Sequence, residues 1–339
     1  MSKLIGWESE IKRGCILSIQ MNLLNKCTSK CKSCRKYTWP NDELDLETVK
    51  RTLTVLKKEF GLQSVVFSGG DPILYKDFSQ VIDYCEEIDL KYSLITTLLT
   101  NDKQLLEKIA KTAYRIHVSV DSLDRERYHK IRGVYGADLV KANMTFVQSF
   151  RDEMIPIRIS MTVSNMNYDE VYQMYIFAGM HKLNLNYYML HTWDELKANK
   201  QQVEKMMNRL QLVAESEQNS KNRITNAASI LASRFDFTRE SDKCKRCYLP
   251  YINATINANG DIYPCCKLLD DNGCYGDQLK YVYGNIANKS EEELVVEFNK
   301  RFACEYPTNG LCRECADRYN DLLADLEKIA EGSKEPLFF

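Results

Sequence analysis

Between residue 15 and about residue 190, short runs rich in β-branched and aromatic side chains alternate with stretches in which apolar residues recur every three or four positions. That alternation is the signature of βα units built around a parallel sheet or barrel. Strands are expected at CILSIQMN (15–22), SVVFS (64–68), YSLITTLL (92–99), YRIHVSV (114–120), IPIRISMTV (155–163) and LNYYML (185–190). The clearest helix carries Leu46, Val49, Leu53, Leu56 and Phe60 on one face, with Asp45 placed to cap its start and Gly61 to end it. Further helices are expected over 77–87, 103–112, 136–150 and 168–181, each between two strands. Right-handed crossovers would close these units into a partial (β/α)6 barrel, whose reactive loops lie at the C-terminal ends of the strands.

The pattern changes after residue 193. Residues 194–240 read as a polar helical connector, and residues 241–331 as a small cysteine-rich unit. Within that unit a β-hairpin should turn at Asn259 and Gly260. Tyr319, Leu322, Leu323, Leu326 and Ile329 give residues 316–331 a helical face. Residues 332–339 read as a tail, so the barrel is assigned to 1–193.

Composition narrows the chemistry. The 339 residues, 44% of them hydrophobic, suffice for one large domain and a smaller one. The balance of 46 basic against 47 acidic side chains leaves no cationic field of the kind that captures nucleic acid or anionic lipid. No signal-peptide core and no apolar run of membrane-spanning length occurs, which implies a cytoplasmic protein without membrane contact. Thirteen cysteines in a reducing compartment point to metal or redox chemistry rather than disulfides. The four histidines, His117, His129, His181 and His191, never fall four apart on one helix, which argues against a histidine-rich metal site. Cys15 and Cys85 fall inside a strand and a helix and read as small core residues.

Cys27, Cys31 and Cys34 form a CxxxCxxC cluster directly after the first strand, where a barrel places its chemistry. Three thiolates on a four-iron cluster leave one iron open, and an open position is what makes a metal site reactive. A zinc knuckle is the alternative, although no fourth ligand is evident over 35–60. The spacing resembles the signature of the radical SAM superfamily. That resemblance implies a [4Fe-4S] cluster whose open iron chelates S-adenosylmethionine (SAM), reductive cleavage to methionine and a 5′-deoxyadenosyl radical, and hydrogen abstraction from substrate. The superfamily commonly has an aromatic residue before the third cysteine; here it is Ser33, and Tyr37 or Trp39 is a substitute for the adenine contact. By the same resemblance Gly69, Gly70 and Asp71 match a motif that binds the methionine amino group. HVSVDS (117–122) and the IRG after it place Ser119 and Asp121 near the ribose or substrate and Arg132 against the SAM carboxylate, for which a guanidinium fork is suited. Thr162 and Asn165 are secondary candidates.

Eight cysteines lie between 244 and 315: Cys244, Cys247, Cys265, Cys266, Cys274, Cys304, Cys312 and Cys315. The stretch from Cys247 through Gly260 to Cys265 resembles the opening of a SPASM or twitch domain, which implies an auxiliary [4Fe-4S] cluster. Cys247, Cys265, Cys312 and Cys315 are the expected ligands; Cys244, Cys266 and Cys304 are the substitutes, and Cys266 or Cys274 is available as a hydrogen donor. A zinc ribbon from the two CxxC pairs is the competing reading, and with it a zinc-stabilised binding module instead of an enzyme. The resemblance implies an oxidoreductase or maturase that draws electrons from a flavodoxin or ferredoxin. Its expected substrate is a ribosomally made peptide, to be crosslinked, epimerised or oxidised, with a carbohydrate or nucleoside-like small molecule as the alternative. About 14 residues before the first strand leave no room for a leader-binding domain, so a separate peptide-recognition protein is a possible partner.

Overall fold

The computed structural model describes residues 14–34, 40–152, 155–190, 194–218, 224–225, 227–232, 252–265 and 281–303. Its frame is a sheet in the order β6-β5-β4-β3-β2-β1-β7-β8-β9. Strands β1 (Ser18–Leu24), β2 (Ser64–Gly69), β3 (Lys91–Thr96), β4 (Arg115–Ser119), β5 (Arg158–Val163) and β6 (Asn184–Met189) pair in parallel, each with its sequence neighbour. The connecting helices are α1 (Leu46–Phe60), α2 (Phe78–Glu87), α3 (Lys103–Thr112), α4 (Arg125–Arg132), α5 (Ala137–Gln148) and α6 (Val171–Met180), followed by α7 (Lys200–Gln218) and α8 (Ala227–Ala232).

Alternation along each strand explains why helices cover one face. Ile19, Met21 and Leu23 of β1, Val65 and Phe67 of β2, Leu94 of β3, Ile116 and Val118 of β4, and Ile159 and Met161 of β5 are buried in one continuous core. Helices α1, α2, α3 and α5 touch one another in succession, as a single layer does. The opposite face is mostly polar and mostly half-buried, with Ser18 and Gln20, Arg115, His117 and Ser119, Arg158, Ser160 and Thr162, Asn184 and Asn186 on it beside Val66, Ile95 and Tyr188. A doubly wound sheet buries both faces in apolar side chains, so one wet face identifies the half-closed barrel.

Helix α1 has the expected termini: the Asp45 side chain accepts from Thr48 N, and Gly61 takes the left-handed conformation at φ 68°. The expected hairpin forms between β7 (Asn253–Ile256) and β8 (Asp261–Tyr263), with Gly260 at φ 88°. Strand β7 pairs in parallel with β1, so the barrel sheet runs on into the C-terminal segment. A buried bond from Asn22 Nδ2 to Asn257 Oδ1, 2.7 Å long, ties the two strands. Beyond β9 (Gly284–Asn285), helix α9 (Glu291–Asn299) packs on α1. Buried Arg301 donates to Gly14 O and stacks 5.1 Å from the centre of the Phe60 ring.

Two expectations need correction. The fourth crossover contains two helices, α4 and α5, where the sequence pattern predicts one over 136–150; α4 reads RERYHKIR and buries only Tyr128, Ile131 and Arg132, too narrow a stripe for a periodicity search. Strand β3 ends at Thr96 rather than 99, because Leu98 takes a positive φ of 55°. The helix expected over 316–331 lies outside the described residues.

Candidate active site

The C-terminal ends of β1 to β5 converge on the loop that carries Cys27, Cys31 and Cys34. Its base is set by β2: Gly70 N donates to Leu24 O at 2.7 Å and Asp71 N to Lys26 O at 2.9 Å. This approach requires glycine. A Cβ on Gly69, whose φ is 119°, would lie 2.3 Å from Leu24 O, and one on Gly70 would lie 2.0 Å from Lys26 O. The far side of the loop is held by the end of α4, where Lys30 N donates to Arg132 O and Lys32 N to Ile131 O, each at 2.9 Å. Helix-terminal carbonyls lack partners within the helix, so α4 offers two acceptors where the loop presents two N–H groups. Inside the loop, Cys34 N donates to Cys31 O at 3.0 Å and Ser29 N to Cys27 Sγ at 3.4 Å.

Burial raises the Cys31 thiol to about 12, against the lowering effect of Arg132; the charges of Asp121, Cys34 and Cys27 raise it further. Cys27 is raised by burial, opposed by the Ser29 N–H and augmented by Asp71 and Cys34. The thiols therefore lie within one another's fields. Among the described residues no three His, Cys, Asp or Glu side chains converge on a single metal ion.

Two buried carboxylates frame the loop. Asp71 accepts from Thr96 Oγ1 at 2.7 Å with one oxygen, and from Thr97 N at 3.0 Å and Thr97 Oγ1 with the other. Burial raises its pKa, opposed by those same hydrogen bonds. Asp121 Oδ2 lies 2.6 Å from Arg132 Nε, and its Oδ1 accepts from Thr162 N at 2.8 Å. Burial alone would lower Arg132; Asp121 and Cys31 reverse this and hold it protonated. Asn167 closes the bracket by donating to Asp121 O and Thr162 O.

The fold thus gathers Cys27, Cys31, Cys34, Gly69, Gly70, Asp71, Asp121 and Arg132 around one loop, with Ser119 half-buried on the polar face two residues before Asp121. Arg132 is the last residue of α4, so the helix end sets its position. Thr162 takes part through its backbone, and Asn165 is spent on the segment after β6, donating from N to Leu196 O and from Nδ2 to Glu195 O. Tyr37, Trp39, Cys247, Cys312 and Cys315 lie outside the described residues, as do Cys244, Cys266, Cys274 and Cys304. Cys265 is half-buried after β8. Since Tyr263 pairs with Thr255, and Thr255 with Gln20, Cys265 sits level with the start of β1, at the other end of the strand from the Cys27 loop. About 20 Å of strand separates those two levels. Sequence reading missed Thr96, Thr97 and Asn167; a T-T pair at a strand end beside a buried aspartate was the available signal.

Two family models match the chain: the radical SAM superfamily over residues 21–178, and the SPASM iron–sulfur cluster-binding domain over residues 244–316. The chain belongs to the radical SAM superfamily and carries a C-terminal SPASM domain. An uncharacterized protein of Methanocaldococcus jannaschii is 24% identical over 298 residues, covering 83% of this chain and 97% of its own. An S-adenosylmethionine-dependent nucleotide dehydratase of Selenomonas ruminantium is 24% identical over 160 residues, 45% of this chain and 58% of that one. A probable GTP 3′,8-cyclase of Pyrococcus horikoshii is 27% identical over 168 residues, 48% and 53% of the two chains. The chain therefore spans little more than half the length of these last two relatives.

Among solved structures, native anSMEcpe with bound AdoMet and Cp18Cys peptide matches with TM-score 0.64 at 16% identity, over 95% of this chain and 92% of that one. Streptococcus suis SuiB bound to precursor peptide SuiA matches with TM-score 0.63 at 19% identity, over 86% and 67%. These similarities establish a radical SAM fold. Its two domains imply a SAM-binding iron–sulfur cluster and an auxiliary cluster. The residues present are compatible with the first: Cys27, Cys31 and Cys34 lie on one loop pinned at both ends, and cysteine thiolates are the usual ligands of such clusters.

Proposed function

We propose that this radical SAM enzyme reductively cleaves SAM and uses the resulting radical to abstract hydrogen from a ribosomally made peptide. Cys27, Cys31 and Cys34 would hold the cluster, which with bound SAM supplies the electron that splits the sulfonium. The observation that carries this reading is the clamped loop: three thiols fixed by β2 on one side and α4 on the other, at the end of a mostly polar sheet face.

Asp71 and Asp121 spend both oxygens within the protein, so their role is to hold the corner rather than to reach the cofactor. Backbone carbonyls around Gly69 and Gly70 are then the acceptors for the SAM ammonium. Asp121 meets Arg132 at Nε, and the terminal amino groups of the same guanidinium would donate to the SAM carboxylate. Ser119 faces the substrate side. Cys247, Cys265, Cys312 and Cys315 would hold the auxiliary cluster. A flavodoxin or ferredoxin would supply the electron, and a separate recognition protein would deliver the peptide.

The peptide reading is supported by the peptides bound in the two structural neighbours named above. The nucleotide-acting names of the sequence relatives favour a second reading, a nucleoside-like substrate on the same core. The test is 5′-deoxyadenosine formation under dithionite. Replacing Cys27, Cys31 and Cys34 together by alanine should abolish it, and replacing Cys312 and Cys315 should leave uncoupled cleavage but no product. Undiminished cleavage by the triple variant would refute the assignment.

A further inference from the structure

The polar sheet face carries a second cluster of chemistry, at the opposite end of the strands from the cysteine loop. Arg115 opens β4 and Arg158 opens β5. His117, two residues after Arg115 on the same face, pairs in register with Arg158, and Arg158 with Asn184. Alternation places all of them opposite the buried Ile116, Val118 and Ile159, on the face turned away from that core. Arg158 is half-buried, and among the described residues its Nε, shielded from solvent, has no hydrogen-bond partner. Among the described residues neither Arg158 nor Arg115 makes an ion pair, and the two cations lie within each other's field. Lys91, 5.3 Å from the centre of the Tyr114 ring whose neighbourhood Arg115 shares at 5.2 Å, extends the positive rim.

Two neighbouring guanidiniums without a carboxylate, one with a buried donor unmet, form an arrangement that is costly when empty. A water molecule would satisfy an N–H without removing the repulsion. An oxyanion does both, because its several lone pairs accept from fixed N–H forks while its charge offsets theirs. The neighbouring arginines also hold His117 in its neutral form, in addition to its burial, so the ring retains one donor and one acceptor.

We propose that Arg115, His117 and Arg158 form an anion-binding site that takes a carboxylate or phosphate group of the substrate. The proposal rests on reading the polar face as the substrate's side. Four residue steps along β5 lead from Arg158 to Thr162, the level of Asp121, which is about 13 Å of strand. A substrate anchored here by its charged end would be extended, presenting its reacting carbon near the cysteine loop.

The test is the thermal midpoint of the full reconstituted chain, kept anaerobic in chloride at constant ionic strength and titrated with sodium phosphate in one arm and sodium succinate in the other. The wild type should stabilise in proportion to the logarithm of anion concentration in at least one arm, as ligand linkage requires. A phosphate preference identifies a phosphorylated ligand, and a succinate preference an acidic peptide or carboxylate. Arg158→Gln should lose the response while matching or exceeding the wild-type midpoint in chloride alone, because one of two repelling cations is gone; Arg158→Lys should keep part of it. Arg115→Gln provides the same comparison if the first variant fails to fold. Equal responses in wild type and variants would overturn the site, as would variants destabilised equally in every buffer. Parallel assay of 5′-deoxyadenosine separates the two readings: cleavage without an anion response removes only this site, and an anion response without cleavage removes only the radical assignment.

Discussion

At the scale of single residues, the site depends on what two glycines leave out. The corner at Gly69 and Gly70 brings β2 so close to the cysteine loop that Gly70→Ala would drive its Cβ against the Lys26 carbonyl, which cannot move without moving Cys27. This variant should fold, bind less iron per chain than the wild type, and lose most 5′-deoxyadenosine formation. Wild-type iron content would show that the close approach is dispensable. His117 offers a test by pH. Burial, with Arg158 and Arg115, lowers its pKa to about 4, so between about 6.5 and 4 the unfolded chain takes up a proton that the folded one refuses. Stability rises with pH across that window and is lost as pH falls through it, by on the order of 3 kcal/mol at the acid end. His117→Gln, measured by denaturant unfolding in phosphate-free buffer, should flatten this dependence; an unchanged slope would place the loss elsewhere.

At the scale of elements, Asp121 is a joint. Its carboxylate meets the end of α4 through Arg132 and the end of β5 through Thr162 N, and α4 in turn holds the cysteine loop. Asp121→Ala leaves a buried guanidinium unpaired, a change that typically costs about 3–5 kcal/mol. Denaturant unfolding should show that loss, and a cost below about 1 kcal/mol would mean that Arg132 finds another partner. Much of this was legible in the sequence. The six strands, α1 with its caps, the cysteine triplet, the GGD corner and the hairpin at Gly260 follow from local chemistry: period, capping and turn residues. Helix α4 was not, because a helix that buries only three residues of RERYHKIR has no strong period. Nor were the partners of Asp71 and Asp121, which lie 25 and 41 residues away in sequence and are set by strand order. The polar sheet face could have been read from R-I-H-V-S and R-I-S-M-T-V, whose alternation is foreign to strands covered on both faces.

At the scale of the whole molecule, one sheet joins both halves of the chain. Strand β1 is shared between the radical SAM strands on one side and the SPASM hairpin on the other, with Asn22 bonded to Asn257 across the seam and Arg301 reaching back to Gly14. The cysteine loop and Cys265 lie at opposite ends of that shared strand, so the account places two separate clusters on one rigid frame. The most direct measurement is iron, sulfide and zinc analysis of the anaerobically reconstituted chain. The account predicts ~8 iron atoms per chain, falling to ~4 when Cys27, Cys31 and Cys34 are replaced together. Stoichiometric zinc without sulfide, or iron content untouched by the triple replacement, would contradict it.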